Sequence, residues 1–132
     1  MKWILAFIFL GSCTGKTELP NYSNQEFLEM GREGDPDLKV IIPSDISETL
    51  VHCSDYTPSC RYGLKVIVKN VQLKALFYEQ QSDALKAGLR IKGYVSRNWV
   101  LDDVAGEPIL ERFVEKYLKA KKASEIKQEA SE

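Results

Sequence analysis

Residues 62–78, with the sequence YGLKVIVKNVQLKALFY, carry the pattern that decides the fold. Apolar and polar side chains alternate through both halves of this stretch, which is typical of a half-buried β-strand. The apolar positions of one side are Leu64, Val66, Val68, Val71, Leu73, Ala75 and Phe77. Because the halves are contiguous, they form either one long strand or two strands that turn tightly near Asn70. We favour one long strand with a bulge.

Further β-rich stretches lie on both sides of this segment. Residues 38–42 (LKVII) form a short apolar run that ends at Pro43, and residues 93–101 indicate another strand. Between them, Ser82 and Asp83 can cap a short helix that runs towards Ile91. We therefore expect a small antiparallel sheet with a short helix between strands.

A longer helix is predicted from Glu107 and Pro108, since proline suits a first helical turn. Its apolar positions recur at helical spacing and form one stripe, made of Ile109, Leu110, Phe113, Val114, Tyr117 and Leu118. Such a stripe must be buried. The fold class predicted is α+β, with a long C-terminal amphipathic helix packed on the sheet.

Composition narrows the class of protein. The 132 residues include 44% hydrophobic and 28% charged side chains, close to the averages of globular domains. The net charge is −1, from 18 basic and 19 acidic residues, and basic side chains do not cluster beside aromatic ones in the body of the chain. Nucleic acid is therefore not a predicted partner.

The N-terminus has the pattern of an export signal. Lys2 precedes an unbroken apolar run, Trp3 to Leu10. Eight helical residues rise only about 12 Å, too little for the roughly 30 Å of a bilayer core, so the run indicates a cleavable signal peptide. The other interpretation is a buried N-terminal strand.

The next residues, Leu10-Gly11-Ser12-Cys13, resemble the lipobox of bacterial lipoprotein signal peptides. The resemblance implies that residues 1–12 are removed and that Cys13 receives acyl chains such as palmitate. Several chains on one cysteine would hold the protein at a membrane. It also implies a place in the bacterial cell envelope, with the outer membrane facing the periplasm favoured for a Gram-negative host, because Thr14 rather than Asp follows the cysteine.

The predicted organisation has four parts. Residues 1–12 are the signal peptide, residues 13–37 the lipidated cysteine and a flexible tether, residues 38–122 one α+β domain, and residues 123–132 a polar C-terminal tail. The tether is polar and rich in residues that interrupt long helices, such as Gly31 and Gly34, although residues 25–30 could form one helical turn. Three lysines near the end of the domain would stabilise a helix C-terminus or, alternatively, contact phospholipid headgroups. They are Lys119, Lys121 and Lys122.

Cys53 and Cys60 are predicted to form a disulfide, because an exported protein meets an oxidising compartment. The six residues between them include several turn formers. An alternative groups both cysteines with His52 and Asp55 as zinc ligands, but the spacing matches no common zinc motif. We predict no metal and no cofactor.

The junction between the last long strand and the main helix contains Arg97, Trp99, Asp102 and Asp103. Tryptophan and arginine are frequent at binding hot spots, although Trp99 in the core of a strand is the alternative. Asp102 and Asp103, with Glu107, would suit calcium or acid–base catalysis, yet they lack the spacing of an EF-hand loop. Solvated turn carboxylates are the simpler interpretation.

These observations predict a non-enzymatic envelope lipoprotein that binds or scaffolds a protein or cell-wall partner. The candidate partner-binding residues are Tyr56, Arg97, Trp99, Asp102 and Asp103. One alternative is an inhibitor or immunity-type lipoprotein that blocks an envelope enzyme with the loop around Tyr56. The other is a small cell-wall hydrolase.

Overall fold

The computed structural model describes residues 19–42 and 50–130, and the side chains up to Ile126. The predicted signal peptide, Cys13 and residues 43–49 lie outside this part. The α+β class and the antiparallel sheet are confirmed. The six strands are β1 (Lys39–Val40), β2 (Tyr62–Val68), β3 (Val71–Phe77), β4 (Tyr94–Ser96), β5 (Trp99–Asp102) and β6 (Lys121–Lys122). Their order in the sheet is β1-β2-β3-β5-β4-β6.

The segment 62–78 forms two strands, so the bulged single strand that we favoured is wrong. Lys69 and Asn70 make a two-residue turn, and both have positive φ angles, 50° and 66°. A two-residue turn between antiparallel strands favours such angles. Because the turn uses an even number of residues, Leu64 pairs with Ala75 and Val66 with Leu73, and the apolar side continues unchanged.

The stretch 93–101 also folds back on itself instead of forming one strand. Arg97 and Asn98 make the turn between β4 and β5, and Arg97 has a φ of 53°. Ser96 pairs with Trp99 across this turn. The sequence contains no glycine at either turn, which is why the alternation alone does not reveal them.

Helices cover both faces of the sheet. On one face, α1 (Asn24–Gly34) and α3 (Pro108–Tyr117) enclose a core that includes Leu73, Trp99 and Phe113. On the other face, α2 (Gln81–Ile91) and α4 (Ala123–Ala130) pack with the loop before β2, around Leu76 and Val100. The predicted short helix between strands is α2, but its predicted cap is wrong, because the helix begins at Gln81 and places Ser82 and Asp83 inside its first turn.

Helix α1 lies inside the segment predicted to be a flexible tether, so the folded domain begins earlier than expected. Ser23 and Glu26 form a reciprocal cap, in which each side chain accepts a hydrogen bond from the backbone N–H of the other residue. The ring of Phe27 is buried and stacks on Trp99 with 4.2 Å between ring centroids. This stacking fixes α1 to the sheet.

The described part of the chain does not contain the predicted long C-terminal helix. Helix α3 has ten residues, and its predicted apolar stripe is mostly buried, but Ile109 is 43% exposed. The chain leaves α3 at Leu118, whose carbonyl accepts a 2.6 Å hydrogen bond from the buried Ser96 hydroxyl. Lys119 then has a φ of 58°, which ends the helical path.

The chain forms two more elements after this turn, and the second of them lies in residues 123–132, which were predicted to be a polar tail. Lys121 and Lys122 form the edge strand β6 beside β4. Helix α4 follows, with Ala123 buried and Ile126 packed against the core of the second face. Gly88 in α2 and Ala123 in α4 are small, and this lets the two helices contact each other closely. The sequence pattern gives little sign of this contact.

Candidate functional site

The disulfide between Cys53 and Cys60 is present as predicted, with 4.9 Å between the two Cα atoms. We call residues 53–60 the disulfide loop. It starts with a short 3-10 turn, Cys53–Asp55, and returns directly to the start of β2. With both thiols in this bond, neither cysteine supplies a thiolate to the alternative zinc site.

Tyr56 holds the middle of the disulfide loop against the sheet. The residue is only 9% exposed and packs in the same cluster as Leu76 and Val100. Its hydroxyl donates a 2.7 Å hydrogen bond to Oδ2 of Asp102 at the end of β5. The loop is therefore fixed at its ends by the disulfide and at its centre by this side chain.

The surroundings of Tyr56 raise the pKa of its hydroxyl. Burial is the main cause, followed by the hydrogen bond to Asp102 and by the negative charges of Asp102, Asp103 and Asp55. All of these disfavour the phenolate. The hydroxyl is thus a hydrogen-bond donor at neutral pH, and it is poorly suited to act as a base or a nucleophile.

The carboxylates at the junction after β5 have partners of their own. Oδ1 of Asp102 accepts a 2.8 Å hydrogen bond from the backbone N–H of Asp103. Asp103 forms an ion pair with Lys74, whose Nζ lies 3.6 Å from Oδ2. Glu107 caps α3 by accepting a 3.2 Å hydrogen bond from the N–H of Ile109. Each carboxylate thus has a structural role, and within the described chain no three His, Cys, Asp or Glu residues are grouped to hold a metal ion.

Arg97 and Trp99 lie away from this cluster, at the other end of β5. The indole of Trp99 is fully buried and donates a 3.1 Å hydrogen bond to the carbonyl of Tyr22. It is therefore a core residue in this fold and offers no surface to a partner. Arg97 lies over the ring of Tyr22, 4.4 Å from its centroid, and donates a hydrogen bond to the carbonyl of Pro20.

The five predicted partner-binding residues thus separate into two groups. Tyr56, Asp102 and Asp103 come together beside the disulfide loop, whereas Arg97 and Trp99 hold the segment that leads into α1. Sequence analysis missed Lys74 as the partner of Asp103. The sequence shows only that Lys74 and Asp103 carry opposite charges. Their proximity follows from the pairing of Lys74 with Asp102 in the sheet.

The sequence matches no protein family model, no curated protein and no solved structure. None of the helices in the described part of the chain has the length and apolar character needed to cross a membrane.

Proposed function

We propose that this protein is a lipid-anchored module of the bacterial cell envelope that binds a protein or cell-wall partner and catalyses no reaction. The anchor is supported by the resemblance of residues 1–13 to a lipoprotein signal. Leu19, where the described chain begins, follows Cys13 by six residues. Six residues extend at most about 20 Å, so an anchor at Cys13 would hold the domain close to the bilayer.

The binding role is supported mainly by the way in which the disulfide loop is held. Cys60 and Tyr56 are buried and Pro58 is half-buried, whereas four other residues of the loop are exposed. The exposed residues are Ser54, Asp55, Thr57 and Ser59. A loop that is already ordered loses little conformational entropy when it binds, and this favours recognition by the loop.

An inhibitor of an envelope enzyme is the second candidate, because an exposed loop on a rigid base would also suit the blocking of an active site. In that version Asp55 and Thr57 contact the enzyme, while Tyr56 supports the loop from behind. The two candidates differ in the partner, since only an inhibitor lowers the activity of an enzyme when it binds.

The anchor is tested by the intact mass of the protein purified from the membrane fraction of its host. We expect a chain that begins at Cys13 and is heavier by its acyl groups, and we expect the Cys13→Ala variant to lack them. An unmodified chain that retains Met1 would contradict the proposal.

The binding surface is tested by a photo-crosslinking amino acid introduced at Thr57 in living cells, with the same group at Glu29 as the matched control. Both positions are exposed, but Glu29 is on α1, at the opposite face of the sheet. We expect an adduct of one defined mass from Thr57 only, and we expect Asp55→Ala to reduce it. No adduct from Thr57, or the same adduct from both positions, would contradict a binding role for the loop.

A further inference from the structure

A groove lies along the outer side of α3, remote from the disulfide loop. Its volume is about 340 Å³, and its lining comprises Lys69, Ile109, Arg112, Phe113, Lys116 and Tyr117. The floor is apolar, since Phe113 is buried and Tyr117 half-buried. The rim is formed by exposed side chains of α3 and of the turn between β2 and β3.

The rim of this α3 groove is positively charged. Lys69, Arg112 and Lys116 are exposed, and the lining has no carboxylate. The two ion pairs found in the described part of the chain join Arg61 to Glu79 and Lys74 to Asp103, so neither of them neutralises this rim. Asp35, beyond Lys69, already accepts backbone hydrogen bonds from Lys69 and Asp37.

Ile109 adds an apolar contact that folding leaves unused. It belongs to the helical stripe that the sequence predicts to be buried, yet 43% of it is exposed. On α3 it precedes Arg112 by three positions and Lys116 by seven, so the three side chains share one helix face. An apolar side chain next to cations suits a ligand that carries an apolar group next to anions.

The position of the groove indicates which kind of anion would reach it. The first described residues lie at the turn of Arg97 and Asn98, where Arg97 donates a hydrogen bond to Pro20. This turn adjoins Phe77, which pairs with Trp99. Lys69 lies beyond the other end of the seven-residue strand β3, roughly 23 Å away along the strand. In a chain anchored through Cys13, the groove would therefore lie at the far end of β3 from the segment that leads to the anchor, where a protein partner can reach it.

We propose that the α3 groove binds an acidic peptide segment of a protein partner, with an apolar side chain on Ile109 and carboxylates on Lys69, Arg112 and Lys116. The choice of a peptide over an anionic lipid rests on the proposed anchor at Cys13. The charge and shape of the groove do not depend on that anchor.

The test uses the full-length protein in phosphatidylcholine nanodiscs. The ligand is a fluorescent pentapeptide that has one central leucine, two glutamates before it and two after it. Its control has glutamine in place of glutamate. The variant is Arg112→Glu with Lys116→Glu. The matched variant is Lys86→Glu with Arg90→Glu, which changes the charge equally, at the same four-residue spacing, on exposed positions of α2.

We expect the acidic peptide to bind, the glutamine peptide to bind more weakly, and the α3 variant to lose about tenfold in affinity while the α2 variant binds normally. Ile109→Ser should also weaken binding. Equal binding of both peptides, or equal losses in both charge variants, would overturn the proposal.

A competition experiment tests whether the groove binds an anionic lipid instead of a peptide. Soluble dihexanoyl phosphatidylglycerol should not displace the acidic peptide from the unsubstituted protein. Displacement by this lipid, but not by dihexanoyl phosphatidylcholine, would assign the groove to an anionic lipid and overturn the peptide proposal. The intact mass of the same sample shows separately whether Cys13 is acylated. Loss of peptide binding in an acylated protein therefore refutes the groove alone, whereas peptide binding by an unacylated protein refutes the anchor alone.

Discussion

The side chain of Asn98 joins three segments of the chain inside the protein. It is fully buried, accepts a 2.8 Å hydrogen bond from the N–H of Tyr22, and donates to the carbonyls of Tyr78 and Tyr22. We expect Asn98→Ala to lower the free energy of unfolding by about 2 to 4 kcal/mol, because buried backbone groups lose their partners. Urea denaturation measures the loss, and Asn24→Ala, at an exposed position, is the control. Equal stability of the two variants would show that water replaces the amide without cost.

At the scale of single elements, helix α1 differs most from the sequence prediction. We expect Phe27→Ala to destabilise the protein by about 3 to 5 kcal/mol, because it removes the ring stacked on Trp99 and leaves a cavity. Gln25→Ala, on an exposed side of the same helix, should change little. Chemical denaturation of both variants tests this directly. A negligible effect of Phe27→Ala would mean that α1 contributes nothing to the core.

The glycines of α1 explain why the sequence favoured a tether. In the sequence, Gly31 and Gly34 favour an interrupted helix, because glycine lowers helix propensity. In the fold they are the places where α1 approaches its neighbours, because a Cβ at Gly31 would overlap Leu38 and one at Gly34 would overlap the ring of Tyr117. A packing requirement of this kind depends on a partner element and is invisible in a single sequence.

Elements defined by local periodicity were predicted well, while the reversals between them were not. The apolar faces of β2, β3 and α3 follow from spacing alone. The turn at Lys69 and Asn70 lacks glycine, and the reversal after Leu118 depends on the bond from Ser96, which is 22 positions away. In the candidate site, the disulfide was predictable from an even pair of cysteines. The bond between Tyr56 and Asp102 spans 46 positions, so only the fold reveals it.

At the scale of the whole molecule, three tyrosines buried in the two cores make the stability of the protein depend on pH. Burial, with the charge of Asp83, raises the pKa of Tyr78 to about 12. Burial also raises the pKa of Tyr94 to about 12, together with the hydrogen bonds that it makes to Glu111 and Glu115 and the negative charges of these residues. The pKa of Tyr56 is raised for the reasons given above. All three hydroxyls therefore keep their protons in the folded state at a pH where an unfolded chain releases them.

The sign of the resulting pH dependence follows from proton binding. Above pH 10 the unfolded chain holds fewer tyrosine protons than the folded protein, so the stability that is complete below pH 10 is lost as the pH rises towards 12. For Tyr78 and Tyr94, a shift from 10 to about 12 corresponds to roughly 2 to 3 kcal/mol each. We expect urea denaturation to show this decline, and Tyr78→Phe to reduce its slope after an initial loss of about 1 kcal/mol from the missing 2.7 Å bond to the carbonyl of Pro58. Ultraviolet absorbance reports phenolate directly, and formation of phenolate by all the tyrosines near pH 10 in a protein that stays folded would show that these hydroxyls are open to water.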